Sequence, residues 1–383
     1  MRLCGEGRDL VGFWNEVSGV LEGVLPHYMG ACWFTLDPAS LLITSHYNRA
    51  MPELPPDALA LEYYEDDAIT LSDVARSERG IATLHEATNG DPSGSPRWRS
   101  NITYGGDQEM VAALRARDGH VWGALTLYRE PGEPMFDEED KALMLTIAPH
   151  LAEAARRALL VGEAQDPDVL DPPGLVVLRE DWTVESVTPG VERWLADLPG
   201  GDWDRGQLPS SLQAVAGRAM RTATHVDDPG QLAVSRVLSR SGTWVVLHGA
   251  ALASSDARRV AVIVEPAHPA RITSLLMSVY RLTDREKDVT RLVLQGNSTG
   301  EIAAQLFVSP HTVQQHLKSI FDKTGVRSRR DLVGKIFFSH YEPRLRDNER
   351  RAAVGRPLRG GPVTATTEGE CLATGWPPIR RES

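Results

Sequence analysis

Cysteine is scarce in this sequence: Cys4, Cys32 and Cys371 are the only three in 383 residues. None forms a Cys-x-x-Cys pair, so neither a disulfide framework nor a cysteine-ligated zinc site is indicated. A reducing cytoplasm is the expected home of such a chain. Long apolar runs are missing too, and no stretch approaches the roughly 18–20 residues of a membrane span. The opening MRLCGEGRDLVGFW has no apolar core and no cleavage site of a secretion signal. No Gly-x-x-x-x-Gly-Lys-Ser/Thr phosphate loop occurs, which excludes the large ATP-dependent regulators. The early acidic pair, strand-end Asp and later Lys of a phosphate-receiving domain are absent as well. His85-Glu86 begins a zinc-protease pattern, but Asn89 stands where the second His is needed, so no helix presents two imidazoles. No nucleophile, base and oxyanion-donor set stands out. The expectation is a protein that binds rather than catalyses, with no cofactor and no metal.

Lysine is scarce, and its placement is uneven. Of five lysines, Lys287, Lys318, Lys323 and Lys335 fall between 281 and 341. Net charge is −11 for the whole chain, yet residues 281–341 carry ten Lys and Arg against six Asp and Glu. Residues 342–383 carry eight against six, which leaves a balance of −17 on residues 1–280. A basic module on an acidic body is the charge footprint of a nucleic-acid-binding segment attached to something else.

Two breaks divide the body. GEAQDPDVLDPP at 162–173 is acidic and Pro-rich, and PAHPAR at 266–271 carries two prolines ahead of a new helical pattern. In the first block, 1–161, Asp9 to Leu25 reads as a helix, and ACWFTLD and LLITSHYN read as strands. Two further strands, Gln108 to Arg117 and Val121 to Arg129, flank the turn signal Asp118-Gly119. A long amphipathic helix, Asp137 to Leu160, follows, with Leu143, Ile147, Leu151 and Ala154 at helical spacing. Trp33, Trp98 and Trp122 are candidates for a pocket lining, against core packing as the plainer role, and Cys32 reads as a buried strand residue. The run HVWGALTLYREPGEPMFDEEDKALMLTIAPHLAEAARRAL resembles the final hairpin and helix of GAF sensory domains. In the second block, 174–265, GLVVLRED and WTVESVTP form a hairpin, with helices near 189–197 and 209–224. The strands LAVSRVLS, TWVVLHGAAL and RRVAVIVEP complete it, and the order resembles a PAS domain.

Residues 281–341 hold four short helical patterns, each opened by a hydroxyl. Thr283 precedes Glu286 and Ser298 precedes Glu301, the spacing of capping boxes. Ser309 is followed by Pro310, a suitable first helical residue. Ser328 precedes Asp331, whose charge suits a helix start, and Gly296 marks a helix stop. Inward positions are Val289, Leu292 and Val293; Ile302, Ala303 and Leu306; Val313, Leu317 and Ile320; and Leu332, Val333, Ile336 and Phe337. The third helix leaves His311, Gln314, Gln315, Lys318 and Asp322 on its other side. A helix with one apolar face and a polar, partly basic outer face fits a DNA major groove.

The segment LTDREKDVTRLVLQGNSTGEIAAQLFVSPHTVQQHLKSIFDKTGVRSRRDLV closely resembles the LuxR-type helix-turn-helix, over about 60 residues. The resemblance makes the stretch from Ser309 to Lys323 the recognition helix. It implies DNA contacts from Ser309, His311, Thr312, Gln314, Gln315, Lys318, Lys323, Arg327 and Arg329, with Thr312 and Lys323 facing the DNA backbone or the first helix. His316 belongs to the pattern as a structural residue. Two departures remove a cation each: Gly300 and Gln314 stand where the family often has a basic residue. The two glutamines suggest adenine, whose N7 and N6 a carboxamide can match.

The expected architecture is therefore multidomain. It has an α+β GAF-like unit at 1–161, an α+β PAS-like unit at 174–265, a linker helix at 266–280, an all-α four-helix LuxR-type module at 281–341 and a disordered tail at 342–383. The expected partners are double-stranded promoter DNA and a second copy of the chain, with RNA polymerase and an unidentified small molecule as further candidates and no membrane. Phe338 and Tyr341 are candidate dimer contacts, as is the long helix 137–160. The rival reading is a quorum-sensing autoinducer receptor with the same DNA-binding module.

Overall fold

The computed structural model describes residues 10–49, 57–161, 173–224, 232–252, 258–267 and 269–333. Ile336, Phe337, Phe338, Tyr341 and the expected tail lie outside the described residues. The first unit opens with α1 (Leu10–Glu22), β1 (Tyr28–Leu36) and β2 (Ile43–Tyr47). Short elements follow: α2 (Ala58–Tyr64), α3 (Leu71–Arg76), β3 (Ile81–Thr83), α4 (Leu84–Ala87) and α5 (Pro96–Thr103). It closes with β4 (Gln108–Arg115), β5 (Val121–Arg129) and the long α6 (Glu138–Val161). The strands make an antiparallel sheet in the order β2-β1-β5-β4-β3.

Both faces of that sheet are covered. On β1, Cys32 and Phe34 point to one apolar cluster while Ala31 and Trp33 point to another. Alternate side chains of a strand face opposite sides, so a strand covered on both faces is buried throughout, as β5 is. Trp33 and Trp122 are core residues, with Trp33 stacked on Trp14 at 4.4 Å. The buried side of α6 is Met144, Ala148, Leu151, Ala152 and Ala155. Of the expected stripe only Leu151 is fully buried; Leu143, Ile147 and Ala154 flank the contact. The small alanines let the helix axis lie close to the sheet, and the larger side chains splay to its edges.

The second unit comprises β6 (Gly174–Arg179), β7 (Val184–Val187), α7 (Val191–Asp197), α8 (Ser210–Thr224), β8 (Val234–Leu238), β9 (Trp244–Leu252) and β10 (Arg259–Pro266). Its sheet is antiparallel in the order β7-β6-β10-β9-β8. The two units share one apolar cluster, because α8 lies between its own sheet and α2. A Cβ at Gly217 of α8 would collide with the Ala60 carbonyl of α2, so glycine permits this approach. Polar ties reinforce the join: Arg236 donates to Asp37 at 2.5 and 2.8 Å, and His46 shares a 2.7 Å hydrogen bond with Ser210.

Helix α9 (Pro269–Val279) then leads to α10 (Asp284–Leu294), α11 (Thr299–Leu306) and α12 (Pro310–Thr324), with residues 329–333 again helical. Leu275, Leu276 and Val279 of α9 enter the cluster formed with α1 and α6, whereas Met277 and Tyr280 pack on the C-terminal helices. Two α+β sheet units and a helical C-terminal module thus meet at one helix.

Candidate nucleic-acid interface

The hydroxyl-opened helices form with the expected caps. Thr283 Oγ1 accepts from the Glu286 amide, and Glu286 Oε2 accepts from the Thr283 amide at 2.7 Å. Ser298 and Glu301 repeat this, with the Ser298 amide donating at 2.6 Å. Ser309 Oγ accepts from the Thr312 amide at 3.0 Å, and Ser328 Oγ from the Asp331 amide at 3.0 Å. The helix ends are equally defined. Gly296 closes α10 with φ +87°, and the Asn297 amide reaches back to the Leu292 carbonyl at 3.0 Å. Phe307 closes α11 in the same left-handed conformation, φ +56°, although glycine or asparagine usually takes that place.

Val289 and Val293 of α10, Ile302 and Ala303 of α11, Val313, Leu317 and Ile320 of α12, and Leu332 make the closed core. The Ser309 cap and this core hold α12 in place, and its outer face is left to solvent. His311, Gln314, Gln315 and Lys318 are all exposed there. Gln315 Nε2 lies 3.1 Å from His311 Nε2, one turn away, and Gln314 Nε2 donates to Thr299 Oγ1 at 3.3 Å. Both amides are thus steered by neighbours without being buried. Lys318 has no ion-pair partner among the described residues. Asp322, also exposed, ends this stripe with a negative charge.

The remaining expected contacts divide. Arg327 is exposed. Lys323 is turned to the first helix, where its ammonium lies 2.6 Å from Glu286 Oε2. Arg329 donates to the Asn297 carbonyl at 2.5 Å and to Thr299 Oγ1 at 3.4 Å, bracing the start of α11. Ser309 and Thr312 are engaged with each other as the cap of α12. His316 is half-buried beside the core. Gly300 faces open space, so no packing constraint forbids a basic side chain there.

Glu286 was legible only as a capping residue. In the fold it is a hub, accepting from Thr283 N, from Ser319 Oγ at 2.6 Å and from Lys323. Burial opposes its ionisation, but the donors from Lys323, Ser319 and Thr283 more than offset that and hold its carboxyl below the usual range. The contact with Lys323 spans 37 positions, so only the tertiary fold brings it about.

Three tightly capped helices, with the third presenting a polar outer face, define a helix-turn-helix of the DNA-binding kind. Residues 280–335 match the family described as bacterial regulatory proteins, luxR family. Spore germination protein GerE of Bacillus subtilis is 42% identical over 55 residues, which are 14% of this chain and 74% of GerE. The chain belongs to the LuxR family of bacterial regulatory proteins. An HTH-type transcriptional regulator of Mycobacterium tuberculosis is 54% identical over 52 residues, 14% of this chain. The chain spans only 6% of that relative's length. Among solved structures, SdiA in complex with octanoyl-rac-glycerol gives a TM-score of 0.28 at 12% identity, covering 86% of this chain and 89% of SdiA. The VqmA dimer of Vibrio cholerae gives 0.20 at 15% identity, covering 44% and 83%. Scores this low do not relate the sheet units to either protein. Among the described residues no helix is long and apolar enough to cross a membrane.

Proposed function

We propose that this chain is a signal-responsive transcription regulator whose two sheet units govern promoter binding by the helix-turn-helix. The observation that carries the reading is the outer face of α12, where His311, Gln314, Gln315 and Lys318 stand exposed together on a helix fixed by cap and core. Inserted in a major groove, the two carboxamides have the donor–acceptor pair that adenine requires, and the exposed Lys318, Arg327 and Arg330 would meet phosphates. Lys323 and Arg329 serve the module's own stability in this arrangement.

The GAF-like and PAS-like reading of the sheet units is supported by their element order and by the strand order they share. Their control over the DNA-binding module would run through α9. That helix is packed on α1 and α6 on one side and on the module's core on the other. At its end, Arg281 donates to Glu153 of α6 at 2.5 Å, and Arg156 donates to the Val279 carbonyl.

One recognition helix reads only a few base pairs, so two chains on an inverted repeat supply the discrimination a genome demands. The test is selection of bound fragments from genomic DNA by the full chain, followed by footprinting and sedimentation. The expected result is two chains per duplex on half-sites related by a dyad. Binding without sequence preference would overturn the specific-regulator reading, and one chain per site would overturn the dimer.

A further inference from the structure

The first sheet unit encloses a cavity of about 140 Å³ between the sheet and the short helices. Phe34 of β1 and Tyr128 of β5 form its floor; Leu59 and Glu62 of α2, Glu65 just past the end of that helix and Arg97 of α5 form its walls. An apolar cavity of roughly 150 Å³ accommodates a benzene-sized guest, so this volume sets the scale of the occupant.

The charges around it are unbalanced. Three lining side chains are carboxylates, Glu62, Glu65 and Asp67, against the single guanidinium of Arg97. That guanidinium is already shared, donating to Glu62 and, at 2.9 Å, to the buried Glu109 behind the wall. Burial, only partly countered by Arg97, pushes the carboxyls of both Glu62 and Glu109 upward, the response of two anions sharing one cation. Asp67 is satisfied by the Ser95 hydroxyl at 2.7 Å and the Arg97 amide at 2.8 Å. Glu65 is different. It lies half-buried between the cavity and an open groove, with no hydrogen-bond or ion-pair partner among the described residues. Arg99, in the same groove, donates instead to the Ser95 and Gly94 carbonyls.

The floor has an unused group as well. Tyr128 is 5% exposed, and its hydroxyl has no hydrogen-bond partner among the described residues. A buried phenol normally finds a partner. An anionic guest would meet three carboxylates, and Arg97, whose two terminal nitrogens are already engaged, would have only its buried Nε left to offer it. A metal ion has no adequate ligand group among the described residues.

We propose that this cavity binds a small organic cation, a primary amine with a body of benzene size. Its ammonium sits between Glu62 and Glu65, and its body lies over Phe34 with Tyr128 at its side. The proposal names the signal for the regulator reading and rests on that reading for its biological role. The binding itself is measured without DNA. Helix α2 carries Glu62 toward the cavity, with Glu65 at its C-terminal cap, and Ala60 toward Gly217 of α8, so an occupant presses on the join between the two sheet units.

Isothermal titration of the full chain with benzylamine, benzyl alcohol and benzoate tests it. The charge-assisted contact of the ammonium with the carboxylates favours benzylamine over the isosteric alcohol by about tenfold or more. Benzoate is expected to give no binding. Glu65→Gln should erase the preference of amine over alcohol while leaving the alcohol's affinity unchanged. Tyr128→Phe should weaken the amine without altering the melting temperature by more than a few degrees. Equal affinity for amine and alcohol, tighter binding of benzoate, or no heat with any of the three overturns the proposal. If benzylamine binds as stated and no promoter fragment is bound, the regulator reading fails and the cavity proposal stands.

Discussion

Replacing Glu286 by alanine removes the acceptor at the centre of the C-terminal module. Three donors lose their partner: the Thr283 amide at 2.7 Å, Ser319 Oγ at 2.6 Å and Lys323 Nζ at 2.6 Å. The capping contact is worth about 1 kcal/mol, and the other two about 1 kcal/mol each after discounting for the partial exposure of Lys323. The loss of roughly 3 kcal/mol is a large part of the ~5 kcal/mol that a small domain has in total. With a urea slope near 1 kcal/mol per molar for a module of this size, the midpoint should fall by about 3 M. Two probes separate the module from the body. Eight of the nine tryptophans lie in the sheet units and none between 269 and 333, so a change in tryptophan emission reports chiefly the sheet units, while circular dichroism at the helical band includes the module. The dichroism transition should split and move to lower urea while the emission transition stays. Lys323→Met should cost about 1 kcal/mol by the same measure and leave the salt dependence of DNA binding unchanged. A phosphate-contacting lysine would instead lower the salt slope by about 0.9. Because the Glu286 carboxyl lies below its usual range in the folded chain, its contribution is present above the unfolded-state pKa, about 4.3. It is lost as pH falls through the lower folded value. A shift under about 0.5 kcal/mol for Glu286→Ala, well inside the range of ordinary surface changes, would refute the hub.

Four further outcomes are expected. Gln314→Ala or Gln315→Ala should cost about 1–3 kcal/mol on the selected operator and relax preference at one base pair per half-site, and Lys318→Ala should weaken all sequences alike and lower the salt slope by about 0.9 per chain; quantitative binding to operator variants checks both. Glu153→Gln should loosen α9 on α6, since Glu153 faces Arg156, Arg157 and Arg281 at 2.6, 2.8 and 2.5 Å; amide exchange at residues 275–282 should quicken about tenfold, with unchanged exchange counting against the latch. Phe307→Gly should stabilise the module by about 0.5–1 kcal/mol, because a left-handed phenylalanine that is 95% exposed forfeits backbone energy and returns no packing; a lower urea midpoint would contradict this.

Much of this architecture was legible because the signals were local. The caps at Thr283, Ser298, Ser309 and Ser328 lie within three residues of their partners, and Gly119 marks its hairpin by conformation. All ten strands except β3 were anticipated from alternation or apolar runs. The stretch from Ala58 to Thr103 was not read. Its helices have between four and eight residues, too short for a periodic apolar pattern, and are set by the single caps Thr70, Thr83 and Ser95. The cavity was missed for the same reason, since α2 and α5 wall it. The tryptophans considered for a lining do not line it; Trp33 and Trp122 fill the core, where large apolar rings gain most by burial. Lys323 and Arg329 could be assigned to a helix end by sequence, but which partner each meets depends on contacts made 30 or more positions away.

The way α9 joins α10 decides how the sheet units could act on DNA. Only residues 280–283 separate the two helices, and they are not a tether. Arg281 takes a left-handed φ of +57°, the Leu282 amide reaches back to the Met277 carbonyl at 2.9 Å, and Thr283 caps α10. The same doubly bonded turn closes α10 and α11 inside the module. The α9–α10 corner is therefore built like the corners within the helix-turn-helix, and α9 moves with the module. Its other side is seated by Leu275, Leu276 and Val279 on α1 and α6, so a rearrangement of the sheet body must either carry the module along or unseat those side chains. Unseating them exposes three large apolar groups, at ~1.5–3 kcal/mol each, which is beyond what a weakly bound signal supplies. Rigid carriage is the less costly route. If two chains pair through the body in the proposed dimer, the pairing surface also sets the spacing and angle of the two recognition helices. The signal would then be read as a change in half-site geometry rather than as release of a flexibly held domain.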